Sequence, residues 1–166
     1  DRLMKEIVLE QNERRKSELD ALQSQINPHF YYNSLSSIMV LAENGDTDTV
    51  EKMCRNLSRI MRYITNTAET TVTLREELDY VQKYLYCMKV RYQSSLNYSI
   101  DVDESLLDQP VPKLIIQPIV ENAIIHGLDG CDNGYICIYA AQKDGVLSIS
   151  VTDDGCGMSA DMVDWI

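Results

Sequence analysis

A chain of 166 residues with 45% hydrophobic content is long enough for one small domain plus an extended helical element. Its formal net charge of −11 argues against a DNA or RNA partner, because phosphate binding needs clustered Lys and Arg, which the 26 acidic residues outnumber here. Five cysteines without a CxxC pair suggest neither a disulfide framework nor a zinc site, no stretch is apolar enough to span a membrane, and the charged N-terminus is unlike a signal peptide; a reducing compartment and no direct membrane contact are expected.

From Asp1 to about Ala42 there is a single Pro and no Gly, and Leu19, Leu22, Ile26 and Phe30 recur at helical spacing, which predicts one long helix. Glu43-Asn44-Gly45-Asp46 reads as a turn, and Val50, Met53, Leu57, Ile60, Met61 and Ile64 form the stripe of a second, antiparallel helix. Such a hairpin cannot bury both faces alone, so a homodimer closing into a four-helix bundle is expected. The polar stretch Thr65 to Thr71 suits a linker, dividing a helical unit over 1–66 from a second unit over 73–166. Thr73 and Glu76 form a capping box that opens a third helix, carried by Leu74, Leu78, Val81, Leu85 and Met88 to about Tyr92.

Leu96 to Val102 alternates as a half-buried strand. Pro112 suits a helix start, and the apolar run through Ile125 predicts a mostly buried helix carrying Gln117, Glu121 and Asn122, with Pro118 bending its first turns. Tyr135 to Ala140 and Val146 to Thr152 read as strands joined through Lys143-Asp144-Gly145. The fold class expected is α+β: a helical hairpin followed by a partial α/β sandwich with helices on one side of a sheet.

Three segments carry residues suited to chemistry. Gln25, His29 and Asn33 lie at i, i+4 and i+8 along one helix ridge, with Pro28 expected to kink the helix beside them. A lone helical histidine is commonly a satisfied or exposed residue, but a neutral imidazole between polar neighbours can also act as a nucleophile. Glu121 and Asn122 on an apolar helix need partners, either neighbouring backbone or, for the Asn122 amide oxygen, a magnesium ion. Asp153-Asp154-Gly155-Cys156-Gly157 follows a strand; alone it is a common turn, but downstream of an Asn-bearing helix it suits a purine pocket in which the Asp153 carboxylate accepts from an exocyclic amine.

In this order and spacing, the segments resemble sensor histidine kinases of the LytS/YesM type, whose ATP domain belongs with those of gyrase, Hsp90 and MutL. The likeness runs from about Leu22 to Met158 and rests on Gln-Ile-Asn-Pro-His-Phe at 25–30, Leu-Arg-Glu-Glu-Leu at 74–78 with Tyr84 and Arg91, Gln-Pro-Ile-Val-Glu-Asn-Ala at 117–123, and Asp153 with Gly155 and Gly157. The resemblance implies that His29 accepts the ATP γ-phosphoryl group, that Asn122 ligates magnesium, that Asp153 contacts adenine in a pocket shaped by Gly155 and Gly157, and that the phosphate passes to a response-regulator aspartate. It also implies a homodimer forming the cytoplasmic part of a membrane-bound sensor. Asn33, one turn after His29, is the nearest polar group that could orient the imidazole or a water.

Three departures accompany the likeness. Phe30 stands where many other histidine kinases carry an acid, Ile125 where the family often has Lys, and the ATP domain over 73–166 stops before the lid and second glycine box. Related ATPases that hydrolyse ATP carry a glutamate four residues before the magnesium asparagine; Pro118 occupies that place, so hydrolysis as the main task is disfavoured. The alternative is a non-catalytic dimeric signalling module with a vestigial or incomplete nucleotide domain.

Overall fold

The computed structural model describes residues 27–127, 133–155 and 157. The predicted helix upstream of Asn27, with Leu19, Leu22, Gln25 and Ile26, lies outside them. Helix α1 (Pro28–Glu43) begins where a kink was expected: Asn27 is its N-cap, the Asn27 side chain accepts from the Phe30 amide at 3.2 Å, and Pro28 takes a first-turn position that needs no N–H donor. Pro28 therefore starts a helix instead of bending one.

The turn behaves as the sequence indicates. Gly45 adopts φ 76°, the left-handed geometry that ends helices, and the Asp46 side chain accepts from Thr49 N at 3.1 Å to cap α2 (Thr47–Thr65). Met53, Leu57, Ile60 and Ile64 are buried along α2, while Met61, expected in the same stripe, is 38% exposed.

A short strand β1 (Thr71–Thr73) leads into α3 (Leu74–Tyr92), and both halves of the predicted Thr73–Glu76 capping box are present. All five stripe residues of α3 are buried. Strand β2 (Leu96–Val102) has the predicted bounds. Pro112 does not start a helix: it ends strand β3 (Pro110–Pro112), which pairs antiparallel with β1, Val72 opposite Val111. A proline is tolerated there because the pairing is a two-stranded edge ribbon.

Helix α4 (Gln117–Asn122) continues as a wider π turn, Ala123–Gly127. Pro118 sits in its first turn, where the missing N–H costs nothing, so the irregularity lies at the other end of the helix. Nor is α4 buried all round. Ile116, Val120, Ala123 and Ile124 face the core, whereas Ile119 and Ile125 are about half exposed.

Strands β4 (Gly134–Lys143) and β5 (Val146–Asp153) form an antiparallel hairpin; Asp144 and Gly145 both take positive φ, the geometry of a tight two-residue turn. β2 pairs parallel with β4, Leu96 opposite Gly134 and Val102 opposite Ala140, which requires the crossover that α4 provides. The sheet order is β2-β4-β5. Ile136, Ile138 and Ala140 are buried on one face of β4, and Tyr135 and Tyr139 are exposed on the other. Helix α3 packs on β2 and the π turn on β5, so the fold is α+β with its helices gathered on one side of the sheet. One hydrophobic cluster runs from Phe30 and α2 through α3 into the sheet.

Candidate functional site

His29 occupies the first turn of α1 with an exposed ring. One turn later, Asn33 places its amide nitrogen 2.9 Å from His29 Nε2. An amide can donate to an unprotonated ring nitrogen or accept from a protonated one, so this contact governs which nitrogen holds the lone pair. Two members of the predicted ridge therefore meet, and Gln25 lies outside the described residues.

The residue after His29 points the other way. Phe30 is buried, with its ring centroid 4.9 Å from that of Tyr84 on α3 and 5.2 Å from that of Tyr31. Tyr84 lies near Glu121; burial first, and then the Glu121 charge, push the phenol well above its ordinary range. Glu121 also accepts from Gln117 Nε2 at 2.8 Å, and Gln117 Oε1 accepts from the Tyr80 hydroxyl. Gln117 and Glu121 on the apolar α4 segment are thus satisfied by Tyr80 of α3 and by each other, where neighbouring backbone had been the alternative.

Asn122, the next residue, turns outward and is exposed, with no hydrogen bond to its amide among the described residues. A free amide oxygen suits magnesium, which usually takes one or two protein oxygens and completes its octahedron with phosphate oxygens and water. The π turn that follows Asn122 packs on β5, whose last residue is Asp153. Asp153 continues the row of Leu147, Ile149 and Val151 on the covered face, but is itself exposed at the strand end.

Asp153 Oδ1 accepts from Gly155 N at 3.1 Å, and the adjoining Asp154 is tied to β4, its Oδ1 accepting from Tyr135 N at 2.7 Å. Asp153 is thereby held at a fixed strand end. Gly157 adopts φ 68° with open space where a Cβ would stand, a backbone state that side chains rarely take. The elements of Asn122 and Asp153 adjoin, although no direct contact links the two side chains; Cys156 and Met158 lie outside the described residues.

Sequence reasoning missed Glu77. It is fully buried, and its carboxylate accepts from the Tyr63 hydroxyl of α2 (2.7 Å), Leu114 N (3.0 Å) and Ile116 N (3.1 Å). Leu114 holds a left-handed φ of 61°, a strained state for a leucine, at the turn that aims α4. Tyr63 also stacks on Tyr80 at 4.6 Å, and the Lys113 ammonium lies 4.6 Å from the Tyr63 ring centroid. The available signal was an acid on the apolar stripe of α3, between Leu74 and Leu78.

Residues 17–96 match the family model described as histidine kinase, and residues 107–166 match the one described as histidine kinase-, DNA gyrase B-, and HSP90-like ATPase. The sensor histidine kinase YesM of Bacillus subtilis is 37% identical over 157 residues, 94% of this chain and 27% of the relative. The sensor protein LytS of Staphylococcus epidermidis is 35% identical over 154 residues, 92% of this chain and 26% of the relative. The sensor histidine kinase YpdA of Escherichia coli is 35% identical over 151 residues, 90% and 26% respectively. A solved histidine kinase domain, from a blue-light activated histidine kinase of Erythrobacter litoralis, covers 86% of this chain and 72% of its own at 18% identity and a TM-score of 0.44. The chain spans about a quarter of the length of the curated relatives it matches. With both halves matched in order, and with these identities over nearly its whole length, the chain belongs to the histidine kinase family, in the branch of LytS and YesM.

Proposed function

We propose that this chain is the kinase part of a two-component sensor, in which His29 takes the γ-phosphoryl group of ATP and passes it to an aspartate of a response-regulator receiver domain. The observation that carries this reading is the His29–Asn33 pair: an exposed imidazole at a capped helix start, with one ring nitrogen held by an amide.

In the neutral ring, Asn33 donates to the Nε2 lone pair and the proton rests on Nδ1. As the nucleotide arrives, Nε2 exchanges the amide for the γ-phosphorus. The new N–P bond forms as the bond from phosphorus to the β,γ-bridging oxygen breaks; ADP leaves with that electron pair, and the ring releases its Nδ1 proton to solvent. The acquired negative charge sits at the N-terminus of α1, where the helix dipole favours it. The Asn122 amide oxygen would hold magnesium, which would supply charge neutralisation at the phosphates. Asp153 accepts from the adenine amine, and Gly155 and Gly157 let the backbone approach the base. Catalysis then rests mainly on positioning and charge neutralisation.

The homodimer is part of the same proposal. Tyr32, Leu35 and Met39 are 71%, 53% and 64% exposed and share one face of α1, an apolar stripe of the kind that a second hairpin covers in a four-helix bundle. The response regulator, and a cytoplasmic position next to a membrane-bound sensor, belong to the same proposal; the relatives are named as a sensor histidine kinase and a sensor protein, and among the described residues no helix is long and apolar enough to cross a membrane.

The test is incubation of the full-length protein with γ-labelled ATP. An acid-labile, base-stable label that disappears in His29→Gln is expected, and label surviving that substitution overturns the assignment. Asn122→Ala is expected to abolish magnesium-dependent nucleotide binding; unchanged affinity by calorimetry refutes the ligand role.

A further inference from the structure

We infer that phosphoryl transfer runs within one chain: His29 receives its phosphate from the nucleotide held by the Asn122 and Asp153 site of its own chain, not from that of its dimer partner. The inference rests on the functional reading above and adds the route.

The lengths of the hairpin set the geometry. Helix α1 has 16 residues and α2 has 19, so at 1.5 Å per residue they run about 24 and 28 Å, and α2 returns the chain to the level at which α1 began. The connection into the nucleotide-binding half, residues 66–70, can span no more than about 17 Å when fully extended. It is also pinned at both ends. The Asn66 carbonyl accepts from Lys113 Nζ, the Thr70 carbonyl accepts from Lys113 N at 3.0 Å, and β1 is then locked to β3. Tyr63, in the last turn of α2, is held by the stack on Tyr80 and the hydrogen bond to Glu77. The nucleotide half has little freedom to swing away from the hairpin that carries it.

The same arrangement connects the two reacting ends through side chains of one chain. From His29 the path runs through the peptide bond to Phe30, across the ring contact to Tyr84, across the close approach of Tyr84 to Glu121, and through one more peptide bond to Asn122. Only two non-covalent contacts separate the acceptor from the proposed metal ligand, and both lie within one chain. At 100° per residue, Tyr32, Leu35 and Met39 stand on the side of α1 opposite Phe30. A partner covering that side would meet α1 away from the Phe30–Tyr84 contact. His29 is on the flank between the two sides, and Asn33, its hydrogen-bond partner, lies on the Phe30 side of it. The ring is thereby drawn towards the nucleotide half of its own chain.

Mixed dimers decide the matter. Two differently tagged full-length chains are co-expressed, one His29→Gln and the other Asn122→Ala, and dimers carrying both tags are purified and incubated with γ-labelled ATP. No label above that of the Asn122→Ala homodimer is expected. A mixed dimer of wild type with the doubly substituted chain should label at about half the wild-type rate. Label on the Asn122→Ala chain of the first mixed dimer overturns the inference, because only the partner's site could have supplied it. A wild-type protein that takes no label, or a His29→Gln homodimer that does, refutes the functional reading itself, and the intrachain route falls with it.

Discussion

Glu77 is the residue on which the geometry of the nucleotide half depends most directly. A buried carboxylate is stable only when its oxygens are fully engaged, and here a phenol and two backbone amides engage them. Those amides belong to Leu114 and Ile116, on either side of the turn before α4, so the same hydrogen bonds that satisfy the charge also hold Leu114 in its left-handed state. Removing the side chain in Glu77→Ala leaves three donors without an acceptor, at about 1–3 kcal/mol each and not strictly additive. A net loss of about 3–5 kcal/mol is expected, read from the urea midpoint at unchanged slope, with Glu77→Gln intermediate because it keeps one carbonyl acceptor. A loss under about 1 kcal/mol for the alanine variant would mean that water replaces the carboxylate. The role of Glu77 was invisible in the sequence for a definite reason: its amide partners lie 37 and 39 residues downstream, and backbone N–H groups carry no sequence signature. His29, Asn122 and Asp153 stand out in the sequence because each sits in a short run with its own pattern, whereas the approach of Tyr84 to Glu121 carries no such local pattern.

Among the elements, α3 carries a titratable cap. Hydrogen bonds from the Thr73 backbone amide first, and then from its hydroxyl, hold the Glu76 carboxyl below its usual 4.5. A carboxyl whose folded-state pKa is depressed contributes stability that is fully present above the unfolded value and is lost as pH falls through the folded value. The wild-type protein should therefore lose this part of its stability on acidification below about pH 4.5, and Glu76→Gln, which cannot titrate, should show a shallower decline. Thermal melting from pH 7 to pH 3.5 is the measurement; parallel curves for the two proteins would remove Glu76 from the acid response. Thr73→Ala should cost about 1 kcal/mol at pH 7, the usual loss for an N-cap hydroxyl. Elements with this kind of local signature were legible: the capping box, the α3 stripe, the alternation of β2 and the Asp144-Gly145 turn are all written within a few residues of where they act. β3 was not, because three residues have no periodicity and Pro110–Pro112 becomes a strand only through Thr71–Thr73, far upstream. The apolar run at 115–125 overstated burial for a related reason, since hydropathy alone cannot tell a helix covered all round from one whose outer face, with Ile119 and Ile125, stays open.

For the whole molecule, the open apolar face of α1 and the packed face beside it set a division of labour. Phe30 and the α2 stripe belong to the intrachain core, which joins the hairpin to α3 and hence to the sheet. Tyr32, Leu35 and Met39 have no such role, and their exposure would be a standing cost for a monomer. A second copy meeting this face removes it from water, at about 1.5–3 kcal/mol for each large side chain fully buried. Replacing Leu35 and Met39 together by Glu forfeits that gain and also sets like charges against each other across a two-fold axis. The dissociation constant of the dimer is therefore expected to rise at least about 100-fold, which is about 2.7 kcal/mol, while the intrachain core is untouched. Sedimentation or light scattering against concentration reads the first effect, and an unchanged urea midpoint for the dissociated chain reads the second. A double variant that stays dimeric at the same concentrations would place the dimer contact on another surface of the chain and free the α1 face for a different partner.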